Sequence, residues 1–367
     1  MGRVRFCWFD WVCFMGKKLI KRAVLGLPKP IIGRVMVAHY LKRHPHQIDE
    51  CLAHFLSADE QRNKAYVNTV KAAVRAAMNQ YLIAPEEYFL YDFPHLSDQE
   101  KRSFVGDLER TILCSRLYNV TASGYVFMDK MKTYDAFAPF FKRDVCLVSG
   151  EADYRKFLDF SQTHETFMVK PTAASRGNGI ALVSRDADVD AREQFQEILR
   201  KGACVLEERI EQGPELAALH PQSVNTVRYA TYYENGTITT LACFLKIGRG
   251  ASVVDNGGAG GLLAAVDSET GVILTAGRTE WGEEYPVHPD TGIAFVGYQL
   301  PEWEAAKEMV FELVKVLPDQ KYVGWDLAYS TRGWVLVEGN SGGQFVGPQI
   351  SLKKGVRPLI DKTFGSL

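Results

Sequence analysis

No stretch of the 367-residue chain approaches the roughly eighteen consecutive apolar residues of a membrane-spanning helix, so no span is expected. Net charge is close to nil. The 43 Lys and Arg against 44 Asp and Glu leave −1, and there is no global field to attract nucleic acid. The seven cysteines (Cys7, Cys13, Cys51, Cys114, Cys146, Cys204, Cys243) are odd in number, and no pair has the C-x-x-C spacing of zinc and redox sites. Reduced thiols in a cytoplasmic protein are the expectation. Repeats and low-complexity linkers are also absent. The aromatic N-terminus is broken by Asp10 and lacks a small-residue cleavage site, which argues against a signal peptide. Phe6 stands where myristoylation expects Ser or Thr. Residues 1–22 read either as a segment packed on the body or as a weak peripheral membrane contact through Lys17, Lys18, Lys21 and Arg22.

What is present is an ordinary globular composition, 46% apolar and 24% charged, long enough for a sizeable core and two or three subdomains. Leu25 to Pro30 punctuates the first segment. His46–Leu82 carries a helical pattern, Pro85 opens another helical turn, and Ser97-x-x-Glu100 is a capping-box signature for a helix running to about Leu117. After Asn119 the pattern changes to short strands and helices. Helices are expected at Thr133–Phe141, Asp153–Phe160, Ala191–Lys201 and Trp303–Leu317. Strands are expected at Asp144–Val148, Phe167–Lys170, Ile180–Val183, Cys204–Leu206, Val227–Tyr233, Ile238–Lys246, Gly261–Val266 and Val272–Ala276. The sum is an α+β fold with a mainly antiparallel sheet, preceded by a mainly helical region.

Several stretches carry chemistry. In Phe167-Met-Val-Lys-Pro-Thr-Ala-Ala-Ser-Arg-Gly-Asn-Gly-Ile180 a lysine ends an apolar strand and a Gly-rich loop follows. Gly177 and Gly179 permit close backbone approach to phosphate oxygens, Ser175 and Asn178 add donors, and Lys170 and Arg176 add charge. The spacing is not that of a Walker A loop. A strand at Cys204 ends in Glu207 and Glu208, then leaves the sheet at Gly213-Pro214, as a segment presenting its backbone to an adenine edge would do. Arg228 and Lys246 lie on otherwise apolar or aromatic strands, which suits cations aimed into a cleft where phosphoryl chemistry occurs. Val254–Gly261 has four glycines and reads as a lid or a long turn. In each case the plainer alternative is a surface turn, an acidic strand end or a salt bridge within the sheet.

Val323–Asn340 reads as two strands joined by a tight turn. With Thr331-Arg332-Gly333 as a three-residue loop, Ser330 faces Trp334, Asp326 faces Glu338, and Asn340 shares their side. Two opposed carboxylates and an amide make an oxygen-only set suited to Mg²⁺ carrying a nucleotide phosphate. A loop one residue shorter would put the two acids on opposite faces.

In order and spacing these features resemble the ATP-grasp superfamily, and more closely its sugar-transfer-associated family. The resemblance runs over roughly residues 80 to 345. It is carried by P-E-E-Y-F-L-Y at 85–91, D-K at 129–130, V-K-P with its Gly loop, V-L-E-E-R-I, S-V-N-T-V-R, D-N before G-G, V-D-x-x-T-G at 266–271, H-P-D-T-G at 288–292, G-W-D and V-E-G-N. It implies ATP held between two α+β subdomains. Lys130 and Lys170 would be the phosphate lysines and residues 175–179 the flap over the phosphates. Glu207, Glu208, Arg209 and Ile210 would form the adenine hinge, with either Glu211 or Glu215 on the ribose. Arg228 and Lys246 would stand near the γ-phosphate and acyl phosphate, with Asp326, Glu338 and Asn340 as Mg²⁺ ligands. The implied organisation is a helical region (1–118), an N-terminal grasp subdomain (119–203) and a C-terminal one (204–367). The expected activity is ATP- and Mg²⁺-dependent ligation of a carboxylate to an amine, with a saccharide or sugar-linked precursor as one of the two by analogy with the family. The alternatives are a kinase on the same grasp and a non-catalytic nucleotide-binding subunit of a polysaccharide assembly. A helical region replaces the Rossmann-like domain that opens many such ligases, so substrate identity does not carry over.

Overall fold

The computed structural model describes residues 29–117, 123–172, 179–185 and 190–364; the expectation for residues 1–22 lies outside these. Seven helices open the described chain: Lys29–Arg43, Gln47–Phe55, Ala58–Arg62, Lys64–Tyr81, Pro85–Leu90, Asp98–Ser103 and Asp107–Leu117. The first was not foreseen, because Pro28 and Pro30 read as punctuation. Pro30 in fact sits in the first helical turn, where a missing N–H costs nothing. The expected helical stretch His46–Leu82 is three helices. The breaks fall where Ser57 forms a capping box with Glu60 and where Asn63 caps the next helix. The helix expected from Ser97 to Leu117 is likewise interrupted, at Phe104-Val105-Gly106. There the backbone passes so close to Leu82 that a Cβ on Gly106 would stand 2.3 Å from the Leu82 carbonyl oxygen.

The rest of the chain builds two antiparallel sheets. The smaller contains β1 (Val145–Val148), β2 (Thr166–Pro171), β3 (Ala181–Ser184) and β4 (Cys204–Glu208), in the order β1-β4-β2-β3. Since β4 pairs with both β1 and β2, a division at residue 203 would cut this sheet. The larger contains β5 (Thr226–Glu234), β6 (Thr237–Ile247), β7 (Leu262–Ala265), β8 (Gly277–Arg278), β9 (Glu284–Tyr285), β10 (Tyr322–Ser330) and β11 (Gly333–Asn340), in the order β11-β10-β5-β6-β7-β8-β9. The strand expected at Val272–Ala276 makes only isolated bridges, Val266 with Ile273 and Val272 with Gln299. Its backbone bonds divide between the two sides: the Ile273 N–H donates to Tyr298 and the Leu274 N–H to Ala265.

One face of the large sheet packs Trp325, Leu327 and Leu336 against Phe137 of the helix Lys130–Phe141 and Trp303, Val310 and Leu313 of the helix Trp303–Val316. The other packs Ala230, Phe244 and Tyr322 against Val105, Phe345 and Ile360. The helical region is bolted to this second layer. Buried Gln349 accepts from the N–H groups of Val105 and Val356 and donates to Tyr91 Oη and the Val105 carbonyl. Arg110 donates to the Gly342 carbonyl at 2.9 Å, and Gln344 donates to Asp107 at 3.2 Å. The loop that follows β11 is therefore held by the helices that open the chain.

Register at the hairpin of β10 and β11 differs from the expectation and reaches the same end. Ser330 pairs with Gly333 and Tyr329 with Trp334, so Thr331-Arg332 is a two-residue loop, with Gly333 left-handed at φ 80°. That loop alone would put the acids on opposite faces. The ladder shifts between Asp326 and Leu327, leaving Val337 as an extra residue, and this bulge restores Asp326 opposite Glu338.

Candidate active site

β10 is buried along its whole length, and Asp326 is its charged member, 2% exposed. Arg228 stands directly across from it on β5. The Arg228 guanidinium donates through Nε to Oδ1 at 2.5 Å and through Nη2 to Oδ2 at 2.7 Å. Gly324 makes room for this fork, since a Cβ there would lie 3.0 Å from Arg228 Cδ. Lys246 on β6 reaches Asp326 Oδ2 at 3.1 Å and lies 3.9 Å from Asp255. Asp255 accepts from the Thr226 N–H at 3.0 Å and from Thr226 Oγ1 at 2.5 Å. Burial pushes the Asp326 carboxyl up, but Arg228 and Lys246 override it and hold the group below its ordinary value. Burial lowers Lys246, and Asp255 and Asp326 more than reverse that. Burial raises Asp255, with Lys246 offsetting only part. Two cations and two acids are thus locked together on one sheet face.

Glu338 and Asn340 join this face from β11. The Asn340 amide nitrogen lies 2.9 Å from Glu338 Oε1 and 3.5 Å from Asp326 Oδ2, so three side chains converge on one point. Rotating the amide about its last torsion would bring its oxygen to the same point, completing an all-oxygen donor set. That set fits Mg²⁺, a hard cation with octahedral demands and a tolerance for retained waters.

On the small sheet, Lys170 and Glu207 project from β2 and β4. Lys170 Nζ is 2.7 Å from Glu207 Oε1, and Arg143, just before β1, donates to Oε2 through Nε at 3.1 Å and Nη2 at 3.0 Å. Burial raises the Glu207 carboxyl, and Lys170 and Arg143 outweigh it, bringing the group to about 2. Lys130 is the first residue of its helix, after the capping Asp129, and donates to the carbonyls of Pro171 and Thr172 at 2.9 and 3.3 Å. Burial lowers its pKa, Glu338 opposes this and Lys170 adds to it, so Lys130 lies within electrostatic range of Glu338 as well as of Lys170. The Gly loop proper, with Ser175, Arg176, Gly177 and Asn178, falls outside the described residues; Gly179, at its end, is left-handed at φ 73°.

The segment expected as the adenine hinge leaves β4 and docks on the hairpin turn. The Glu208 carboxylate pairs with Arg332 at 2.6 Å, and the Glu211 carbonyl accepts from the Thr331 N–H at 3.0 Å. Glu211 Oε2 also accepts from Thr331 Oγ1 at 3.3 Å. Arg209, Ile210 and Glu211 line a pocket with Phe141, Arg143 and Val335. Glu215 lies in the first turn of the helix Pro214–Leu219, and its carbonyl accepts from Tyr298 Oη at 2.5 Å. Among the residues expected for the site, Arg228, Lys246, Asp326, Glu338 and Asn340 meet directly. Lys130, Lys170 and Glu207 form a second group on the small-sheet side, with Lys130 in electrostatic range of Glu338, and the Glu208–Glu215 stretch lies at the hairpin's turn end. Two participants were missed, Asp255 and Arg143. Asp255 had a signal in the D-N-G-G run, which reads as a lid or long turn and as one of the family motifs without giving Asp255 a role. Arg143 had none, because the partners that tie it to the site, Glu207 and the Leu336 carbonyl, are 64 and 193 residues away.

The sequence matches the model of a family described as sugar-transfer associated ATP-grasp over residues 113–364. No curated protein matches it. Among solved structures it is similar to D-alanyl-alanine synthetase A from Vibrio cholerae, at 11% identity and TM-score 0.40, covering 64% of this chain and 63% of that one. It is similar to the D-alanine–D-alanine ligase from Coxiella burnetii at 12% identity and TM-score 0.40, covering 65% and 56%. A third is N5-carboxyaminoimidazole synthetase from Staphylococcus aureus complexed with ADP, at 14% identity and TM-score 0.44, covering 72% and 60%. The chain spans less than two thirds of the length of each of these proteins. The family match takes in well over half of the sequence and both sheets, and on that ground the chain has the ATP-grasp fold and belongs to the sugar-transfer associated ATP-grasp family.

Proposed function

We propose that this protein is an ATP- and Mg²⁺-dependent ligase that joins a carboxylate to an amine through an acyl phosphate. The observation that carries the reading is the convergence of Arg228, Lys246, Glu338 and Asn340 on buried Asp326. A surface turn has no use for two desolvated cations held against one carboxylate, whereas a site where charge develops on a transferred phosphoryl group does. Lys130 and Lys170 would bind the nucleotide's phosphates, and the backbone of Glu208–Ile210 would receive the adenine. Asp326, Glu338 and Asn340 would hold Mg²⁺, which would supply neutralisation of phosphate charge. A substrate carboxylate oxygen attacks the γ-phosphorus, the bond to the β–γ bridging oxygen breaks and ADP leaves. The nitrogen of a neutral amine then attacks the acyl carbon. Phosphate departs, the amine's proton goes to solvent, and an amide remains. Arg228 and Lys246 offset the charge on the transferred group, and the enzyme's contribution is positioning and electrostatics. We place the boundary between the two grasp subdomains after Glu208. The family's association with sugar transfer points to a saccharide-bearing substrate.

The test is a phosphate-release screen of carboxylate and amine pairs with Mg·ATP, with products weighed by mass spectrometry. A ligase releases phosphate only when both partners are present and yields a product lighter by one water than their sum. A phosphorylated product with no free phosphate would replace this reading with a kinase. Tight Mg·ATP binding without turnover across the panel would favour a non-catalytic subunit.

A further inference from the structure

Arg143 belongs to none of the roles assigned above, yet it touches both halves of the proposed site. Its side chain is 3% exposed and lies over the ring of Phe141, with its guanidinium carbon 4.7 Å from the ring centre. One edge of the guanidinium binds Glu207, whose other oxygen holds Lys170 at 2.7 Å. From the same group, Nη1 donates to the Leu336 carbonyl at 2.6 Å and Nη2 to the Val337 carbonyl at 3.3 Å. In a regular strand successive carbonyls point to opposite sides, so one donor cannot serve two in a row. Here it does, because Val337 is the extra residue of the bulge. That bulge is what places Glu338 opposite Asp326 instead of on the far face.

We propose that Arg143 is a positioning residue for the metal site. By satisfying the two bulge carbonyls it fixes the register that presents Glu338 and Asn340 beside Asp326. By holding Glu207 it ties that register to the lysine expected on the nucleotide's phosphates. The planar fork is essential to the role. An ammonium can keep the pair with Glu207, but its single nitrogen cannot also span two carbonyls and the carboxylate. Arg143 thus makes Mg²⁺ affinity depend on the small sheet as well as on the ligands themselves. This inference rests on the proposed Mg·nucleotide site.

The experiment uses full-length wild type, Arg143→Lys and Arg143→Gln. Folding is followed by thermal melts, and binding of the non-hydrolysable analogue AMP-PNP by calorimetry at graded Mg²⁺. In Arg143→Lys the Mg²⁺ midpoint should rise by about 10- to 100-fold, as for loss of a group that orients metal ligands. Because Arg143 also lines the pocket beside Arg209 and Ile210, AMP-PNP binding without Mg²⁺ should weaken too, but by a much smaller factor than binding at limiting Mg²⁺. A brace with no bearing on the site would lower the melting temperature and leave the Mg²⁺ midpoint where it was. An unchanged midpoint in either folded variant, or equal losses with and without Mg²⁺, overturns the proposal. So does failure of both variants to fold, which would make Arg143 a brace. If wild-type binding itself does not respond to Mg²⁺, the functional reading fails and this inference falls with it.

Discussion

Asp326 and Glu338 share a proposed role as metal ligands, yet the structure predicts very different costs for neutralising them. Asp326 is buried under bonds from Arg228 and Lys246, whereas Glu338 is exposed and touches Asn340. In Asp326→Asn, two buried cations keep their desolvation and lose the charge that compensates it. Removing one partner of a buried ion pair costs about 3–5 kcal/mol. Unfolding entropy of about 2.1 cal/mol/K per residue gives roughly 0.8 kcal/mol/K for this chain length, so the melting midpoint should drop by about 4 to 6 °C. Glu338→Gln should move it by less than about 1 °C, as expected of an exposed group. Adding Lys246→Met to Asp326→Asn should recover part of the loss, because it removes one surplus cation. Calorimetric melts of the four proteins, run beside Mg·AMP-PNP titrations, separate stability from binding. Both single variants should lose Mg²⁺-dependent binding while only one loses stability. An Asp326→Asn protein that melts with wild type would mean that the Arg228–Asp326–Lys246 cluster is not formed as described. A Glu338→Gln protein with full Mg²⁺-dependent binding would remove Glu338 from the metal site.

Lys170→Ala should weaken nucleotide binding more than Lys132→Ala, because Lys170 faces the cleft beside Glu207 while the Lys132 side chain is 65% exposed; the reverse order in equilibrium titrations would mean the phosphate loop is misplaced. His288 donates from Nε2 to the Gly248 carbonyl at 2.9 Å, with His220, Asp290 and Arg249 as its charged or titratable neighbours. Burial lowers its pKa, so the folded protein binds fewer protons there than the unfolded chain, and its contribution to stability declines as pH falls below about 6.5. Urea midpoints of wild type should decline between pH 7 and 5 more steeply than those of His288→Gln; parallel curves would refute the assignment. Gln349→Leu should cost about 3 kcal/mol or more by leaving the Val105 and Val356 backbone groups unpaired, read as a lowered melting midpoint; a wild-type melt would deny the network that ties the helical region to the large sheet.

Strand lysine, Gly loop, acidic strand end and the D-x(11)-E-x-N hairpin are local patterns. Each was legible because strand periodicity and turn chemistry act over a few residues. The same locality explains the errors. The break at Gly106 is made by the backbone of Leu82, 24 positions earlier, and the failed strand at Val272–Ala276 divides its bonds between distant segments. The hairpin is the sharpest case. A three-residue loop was inferred in order to bring Asp326 and Glu338 to one face. The folded chain uses a two-residue loop and a bulge at Val337 instead.

By itself, then, the sequence determined which residues are candidates and in what order, because motif spacing is a property of the chain. It also determined the α+β class, since the switch from a helical to a strand period is written in the pattern of apolar residues. Tertiary structure alone decided which of those residues are desolvated and against what. It placed Arg228 across from Asp326, brought Asp255 to Lys246, and set Arg143 between the Glu207 carboxylate and the bulge carbonyls. The physical reason is that burial and charge pairing depend on groups tens to hundreds of positions apart. Only the closed sheet brings these within hydrogen-bonding distance, and a local pattern cannot encode them.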